Sequence, residues 1–127
     1  MGIGSKTGKA WGNLDYDVNL AITNQAWDQN CQLFFDIFDT DGFLGDILAV
    51  NGAYYPFMNV DARRYRFRIL NASMSRFIQL AVIDETGKPV PFHCISNDGN
   101  LLPKAVLISN GILDQQGVAE RLDIVVD

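Results

Sequence analysis

Histidine is almost missing from this chain of 127 residues, which contains one histidine and two cysteines. Metal centres built on imidazole need more, since a blue copper centre takes two imidazoles and a thiolate. The composition therefore excludes a complete copper site within one chain, and no catalytic, cofactor-binding or metal-binding residue is predicted. Cys94 follows His93, but adjacent strand residues point to opposite faces and cannot act as a catalytic pair. We expect His93 to be an ordinary strand residue and Cys94 a small core residue.

Several other features are scarce. No apolar run approaches the roughly 20 residues that span a bilayer, and no long apolar segment follows the N-terminal lysines. With only two glutamates and no glycine-rich loop before a helix, the sequence supports neither a carboxylate-pair hydrolase nor nucleotide binding. Ten basic and fifteen acidic residues give a net charge of -5, which argues against binding to phosphate backbones or to anionic membrane surfaces. The sequence thus predicts neither a nucleic-acid nor a membrane partner.

The two cysteines leave their redox state open. Cys31 and Cys94 could form a disulfide, but nothing in their spacing requires one. Free, buried thiols are the expectation, because free cysteine is among the residue types most often found inside proteins.

The length and a hydrophobic content of 48% suit one domain with a substantial core. Residues 1–16 are rich in glycine and lysine and lack periodicity, which is typical of a linker or lead-in. From residue 17 to residue 127, short apolar segments alternate with turn residues, which predicts an all-β fold, a Greek-key β-sandwich. The predicted strands are 18–24, 32–35, 47–50, 57–60, 65–71, 77–84, 90–96, 104–109 and 121–126.

Arginine is concentrated in the middle of the chain, where it alternates with apolar residues in 65–71. Residues 121–126 alternate in the same way, so each of these strands should have one wet face. The pattern favours a salt-bridged strand face over a polyanion site, and we expect Arg68 to be half-buried and paired with a carboxylate such as that of Asp123. Residues 77–83 are apolar at nearly every position. That pattern predicts a central strand covered on both sides, with one side facing another domain.

Turn residues punctuate these strands. Asn51-Gly52 and Asp98-Gly99 supply the positive φ angles that tight turns need. Asn71 begins a glycosylation sequon, but at a strand end we expect its side chain to hydrogen-bond local backbone instead.

Four aspartates crowd one loop, at positions 36, 39, 41 and 46. Closely spaced carboxylates around a sharp turn suggest a calcium-binding site. The loop departs from the EF-hand pattern, however, because an apolar residue, Phe43, follows the turn and no glutamate closes it. A solvated loop is expected.

Four segments follow one another in the order and spacing of a known family. They are DGFLGD at 41–46, VNGAYYPFMNVDARRYRFRILNAS from Val50 onward, SNDGNLLP at 96–103 and AERLDIVVD at 119–127. With them the chain resembles the second, middle cupredoxin domain of bacterial multicopper oxidases, the group of laccase, bilirubin oxidase and phenoxazinone synthase. The motif residues to which this resemblance gives a structural role are Asn51, Gly52, Arg68, Asn71, Asp98, Gly99, Arg121 and Asp123.

The resemblance implies a role in a larger oxidase. In three-domain members, the first and third domains bind copper, and electrons from the substrate reduce oxygen to water. The middle domain has usually lost its copper ligands and holds the outer domains in register. This chain would then carry no cofactor itself, the parent would contain copper, and the flanking cupredoxin domains would be its partners. Members of the family often work outside the cytoplasm.

Two alternatives stay open. The His-x-His and His-Cys-His motifs of the outer domains are absent, so a stand-alone sandwich with a binding or assembly function is the second hypothesis. A domain without its neighbours exposes apolar surface, so self-association is expected. Within the acidic loop, the resemblance places Phe43 and Leu44 toward the rim of the substrate pocket. Packing of both side chains on the domain's own core is the other interpretation.

Overall fold

The computed structural model describes residues 16–38 and 40–127. These residues form eight strands and no helix, so the predicted all-β fold is confirmed. Within them there is accordingly no helix with the length and hydropathy needed to cross a bilayer. The strands are β1 (Asp17–Trp27), β2 (Leu33–Phe34), β3 (Ile47–Val50), β4 (Ala53–Tyr54), β5 (Tyr65–Asn71), β6 (Phe92–Asn97), β7 (Asn100–Ile108) and β8 (Arg121–Val126).

The strands lie side by side in the order β4-β3-β1-β5-β8-β6-β7, and β2 is a short addition paired with β1. Each described pair is antiparallel except β1 with β5, which run parallel with Leu20 opposite Ile69. The spacing had predicted antiparallel pairs throughout. A parallel pair needs a long crossover connection. Residues 28–64 supply it, and they carry the acidic loop and the β3–β4 turn.

A second layer covers one face of this sheet. It consists of segments 77–84 and 111–116, which are joined by isolated antiparallel bridges such as that of Ile78 with Gln116. Phe92 is fully buried between the layers, and truncating such a side chain to alanine typically costs about 3 to 5 kcal/mol. Two packed layers around one core make the sandwich. The buried core residues are Ile22, Ile69, Ile78, Phe92, Leu113 and Ile124.

Most predicted strands are present. The bounds of β3, β5 and β8 are those predicted, whereas β1 extends further and β7 begins at Asn100 rather than at residue 104. Residues 57–60 were wrongly predicted as a strand, because no described strand pairs with them. The two-residue strand β4 was missed, because it exists only through its pairing with β3.

Segment 77–84 also departs from the prediction of a central, doubly covered strand. Ile78, Leu80 and Val82 face the core, but Ile83 is 61% exposed and Phe77 is exposed as well. An apolar pattern records which side chains are apolar and not whether anything covers them. The second face is bare among the described residues.

The predicted linker, residues 1–16, lies outside the described residues except for Tyr16. The Tyr16 carbonyl accepts a hydrogen bond from the Arg66 N–H at 2.7 Å. Both cysteines are free, and Cys94 is buried as expected. Cys31 is exposed, contrary to expectation, because it lies in the turn between β1 and β2 with a φ of 61°.

Candidate functional site

Asn51 fixes the end of β3 to β1. It takes a φ of 51° and Gly52 a φ of 76°, the left-handed pair of a tight hairpin turn. The side-chain amide of Asn51 then imitates a peptide group: its Oδ1 accepts from the Ala21 N–H at 2.8 Å, and its Nδ2 donates to the Asn19 carbonyl at 2.8 Å. The role of this pair is therefore architectural.

Asp98 and Gly99 form the corresponding turn between β6 and β7, with φ angles of 47° and 82°. The Asp98 Oδ1 accepts hydrogen bonds from the Arg121 N–H at 3.0 Å and from its Nε at 3.3 Å. Arg121 begins β8. The turn is thereby tied to the start of a central strand, which is again an architectural role.

The outer face of β1, β5 and β8 carries a network of arginines and aspartates. Arg68 lies opposite Asp123 in the β5–β8 register, but its guanidinium is exposed and bonds to Asp17 at 2.8 Å. Asp123 pairs with Arg66 instead. Arg68 is thus paired with a carboxylate as expected, but the partner is Asp17 rather than Asp123, and Arg68 is exposed rather than half-buried, because an arginine reaches carboxylates on either neighbouring strand. The groove of about 450 Å³ along this face has compensated charges and offers little attraction for an anion.

Asn71 ends β5 as a fully buried residue, 0% exposed. Its Nδ2 donates to the carbonyls of Arg76 at 2.9 Å and Gln116 at 3.0 Å, and its Oδ1 accepts from the Ser73 N–H at 3.0 Å. A side-chain nitrogen held in this way inside the sandwich is not accessible to a glycosyltransferase. Asn71 joins the two layers where the strand stops.

The acidic loop presents its two apolar residues differently. Phe43 is 8% exposed, and its ring centroid lies 4.9 Å from that of Phe35. Leu44 is 40% exposed. Of the two interpretations left open by the sequence, core packing holds for Phe43, and only Leu44 is available to another molecule.

The loop is firmly held. The Leu44 carbonyl accepts hydrogen bonds from Asn24 Nδ2 at 2.7 Å and from Arg76 Nε at 3.2 Å. Gly45, with a φ of 61°, lies so close to Gln25 that a Cβ would come within 3.0 Å of its backbone nitrogen and oxygen. Leu44 is therefore presented to solvent from a fixed backbone.

An apolar surface missed by the sequence predictions lies beside this loop. In the run LFFDIF every apolar residue is exposed, and Phe38 reaches 87%. The run itself was the available signal, because five apolar residues out of six are unusual in a segment of which only Leu33 and Phe34 belong to a strand. We call this surface, together with Leu44, the apolar rim. Its residues are Leu33, Phe34, Phe35, Ile37, Phe38 and Leu44.

A metal site does not fit these residues. His93 is exposed on β6, and Cys94 on the same strand is buried. Burial raises the pKa of the Cys94 thiol, which disfavours the thiolate that copper requires. Within residues 16–38 and 40–127 no three His, Cys, Asp or Glu side chains are grouped as metal ligands. Of the four clustered aspartates, Asp39 lies outside the described residues.

These features define a class, the cupredoxin-type β-sandwich, which here carries an exposed apolar rim. Laccase from Bacillus subtilis is 34% identical over 89% of this chain and 23% of its own length. The crystal structure of the multicopper oxidase McoA from Aquifex aeolicus gives a TM-score of 0.79 at 33% identity, over 88% of this chain and 24% of that one. The cell division protein FtsP of Actinobacillus succinogenes is 41% identical over 67% of this chain and 17% of its own length.

The chain belongs to the multicopper oxidase family, as a cupredoxin-like domain. It spans less than a quarter of the length of each of these three relatives. No protein-family model matches it. The predicted family is confirmed.

Proposed function

We propose that this chain is the copper-free middle domain of a multicopper oxidase that couples one-electron oxidation of a substrate to reduction of oxygen to water. The observation that carries the proposal is the contrast between the family fold and the ligand supply. A blue copper centre needs two imidazoles and a thiolate, whereas the chain has one histidine, exposed on β6, beside a buried thiol. Copper would then be bound by the flanking domains of the parent.

The domain's contribution would be geometric. Several of its large apolar residues are exposed in neighbouring positions, and such surfaces often mark contacts with other proteins or domains, which supports contacts with flanking cupredoxin domains. Besides the apolar rim, one group surrounds β4, where Tyr54, Tyr55 and Phe57 are exposed and the two tyrosine rings lie 4.4 Å apart. Such surfaces would hold the outer domains in register. In the isolated chain the same surfaces would promote self-association.

The apolar rim supports a second contribution, to the edge of the substrate pocket. Leu44 is anchored by hydrogen bonds from Asn24 and Arg76 to its carbonyl, and Phe35 packs on the buried ring of Phe43. A fixed apolar edge suits an aromatic reducing substrate. Phe43 would act indirectly, by supporting Phe35 from beneath.

Copper titration of the purified chain tests the copper-free assignment. With Cu(II), we expect no intense blue thiolate-to-copper absorption and no oxidase activity on phenols, because one imidazole completes neither type of site. His93→Ala is the matched variant. An intense blue band that is present in the wild type and lost in His93→Ala would refute the proposal.

One comparison favours a second candidate. FtsP is named for cell division rather than for oxidation, and it is 41% identical over 85 residues. The name of this relative supports a binding or assembly function without catalysis, and a stand-alone module with that function is the alternative. Copurification of the chain with separately expressed cupredoxin domains from its own reading frame would favour the oxidase hypothesis. A monomeric chain that does not bind these domains would favour the stand-alone module.

A further inference from the structure

Among the described residues, segment 77–84 of the second layer is extended and has one unpaired edge. Successive residues of a strand direct their backbone groups to opposite edges. In segment 77–84 the even-numbered residues bond to the neighbouring segment, as where Ile78 donates to the Gln116 carbonyl at 3.1 Å and accepts from the Gln116 N–H at 2.8 Å. Leu80 and Val82 bond toward the same side. The described residues provide no hydrogen bond to the backbone groups of the odd-numbered Gln79, Ala81 and Ile83.

An apolar cleft of about 480 Å³ opens between this strand and the main sheet. Leu80, Ala81, Val82 and Ile83 line one side. No residue of the lining carries a charge or a polar side chain. On the other side the lining includes residues of the main sheet that are only half-buried although they face the core, namely Leu20, Val50, Phe67 and Val126. The two layers of the sandwich therefore do not close at this point.

We propose that the cleft receives an extended β-strand, which pairs with the open edge at Gln79, Ala81 and Ile83 and inserts apolar side chains at alternate positions. The unpaired backbone edge and the apolar cleft are independent observations, and both favour an extended strand as the occupant. An open edge needs backbone donors and acceptors in register, and the cleft needs apolar side chains on one face only. A small apolar ligand would fill the cleft and leave the edge unpaired.

The strand comes from a segment of the same polypeptide outside these 127 residues. Laccase from Bacillus subtilis, of which the chain covers 23%, shows that family members contain ample additional sequence. This choice of source rests on the proposed function. The pairing chemistry itself does not, and it can be measured on the present chain.

Residue-resolved hydrogen exchange provides the direct test. The probe is a short blocked peptide in which valine alternates with threonine and lysine, and its control has the same composition with the valines clustered. We expect the alternating peptide to bind and to slow exchange of the amides of Gln79, Ala81 and Ile83. The amide of Val82, which already donates to the Gly111 carbonyl at 2.9 Å, is the internal control and should change little.

Three variants localise the binding. Ala81→Pro removes an N–H for which the described residues provide no acceptor, and it should weaken peptide binding about tenfold or more. Ile83→Glu places a charge at the mouth of the cleft and should also abolish binding. Leu101→Glu makes the same change at a residue that is 74% exposed on β7, away from the cleft, and should have no effect.

Three outcomes would overturn the proposal. They are equal binding of the alternating and clustered peptides, binding that leaves the exchange of all three odd-numbered amides unchanged, and no binding of either peptide at millimolar concentration. If Ala81→Pro does not fold, the exchange data and the two glutamate variants still test whether the peptide binds at this edge. Copper binding in the earlier titration would refute the proposed function and leave this result untouched, so the two failures are distinguishable.

Discussion

Replacing Phe43 with alanine should strongly lower the free energy of unfolding, whereas the same change at Leu44 should lower it little. Phe43 is 8% exposed and its ring contacts that of Phe35 at a centroid distance of 4.9 Å, so its removal leaves a cavity in packed structure. Truncations of buried phenylalanine cost about 3 to 5 kcal/mol. Leu44 is 40% exposed and makes its three loop-anchoring hydrogen bonds through its backbone carbonyl, so its truncation should cost about 1 kcal/mol.

Urea unfolding of the purified chain, followed by circular dichroism, measures both effects. With a slope of about 1 to 3 kcal/mol per molar urea, Phe43→Ala should lower the midpoint by about 1 M or more and Leu44→Ala by clearly less. A domain of this kind is stable by only about 5 to 15 kcal/mol, so the loss in Phe43→Ala is a large fraction of the total. Leu101→Ala, at a residue that is 74% exposed, is the control for surface truncation.

The result that would refute this reasoning is an equal loss for the two variants, or no loss for Phe43→Ala. Either would mean that the loop does not pack as described. The assignment of Leu44, but not Phe43, to the apolar rim would then be unsupported. The proposed place of Leu44 at the rim of a substrate pocket predicts that Leu44→Ala in the proposed parent oxidase raises KM for an aromatic substrate without lowering expression.

Three further predictions concern single sites. Asn71→Ala leaves two carbonyls and one N–H without their partner inside the sandwich, and urea unfolding should show a loss of about 3 kcal/mol; a loss below 1 kcal/mol, on the order of a surface change, would contradict that role. Hydrogen bonds from the side chain of Thr86 and the Lys88 N–H hold the pKa of Asp84 below its ordinary value of 3.8. Its contribution to stability is thus present above pH 3.8 and lost as the pH falls through the lower folded value, and an NMR titration in which Asp84 titrates at or above 3.8 would disprove this. A thiol reagent should label exposed Cys31 rapidly and Cys94 only after unfolding, because burial shields that thiol and raises its pKa; rapid labelling of both in the folded chain would be incompatible with the structure.

The main sheet could be predicted from the sequence where each strand has one buried face and one solvent-exposed face. In β5 and β8 the alternation of apolar and charged residues fixed both the strand and its bounds. Segment 77–84 gave no such signal, because it is apolar at nearly all positions and only the folded chain reveals that its second face is bare.

The partners of polar side chains were less predictable than the turns that carry them. The left-handed residues Asn51 and Asp98 follow from local turn chemistry. Their bonds to Ala21 and to Arg121 join residues far apart in sequence, and no local pattern specifies them. Phe43 and Leu44 illustrate the same limit, because adjacent apolar residues of a loop differ only in what they meet after folding.

The position of β8 has a consequence for synthesis of the chain. Although β8 comes last in sequence, it lies between β5 and β6 and pairs with both. Until residues 121–126 leave the ribosome, the strands β4-β3-β1-β5 and the hairpin β6-β7 are two separate pieces, each with an unpaired edge of the kind that promotes aggregation. The nascent domain therefore remains prone to aggregation until β8 is inserted, and premature termination before residue 121 should yield insoluble protein rather than a smaller folded sandwich.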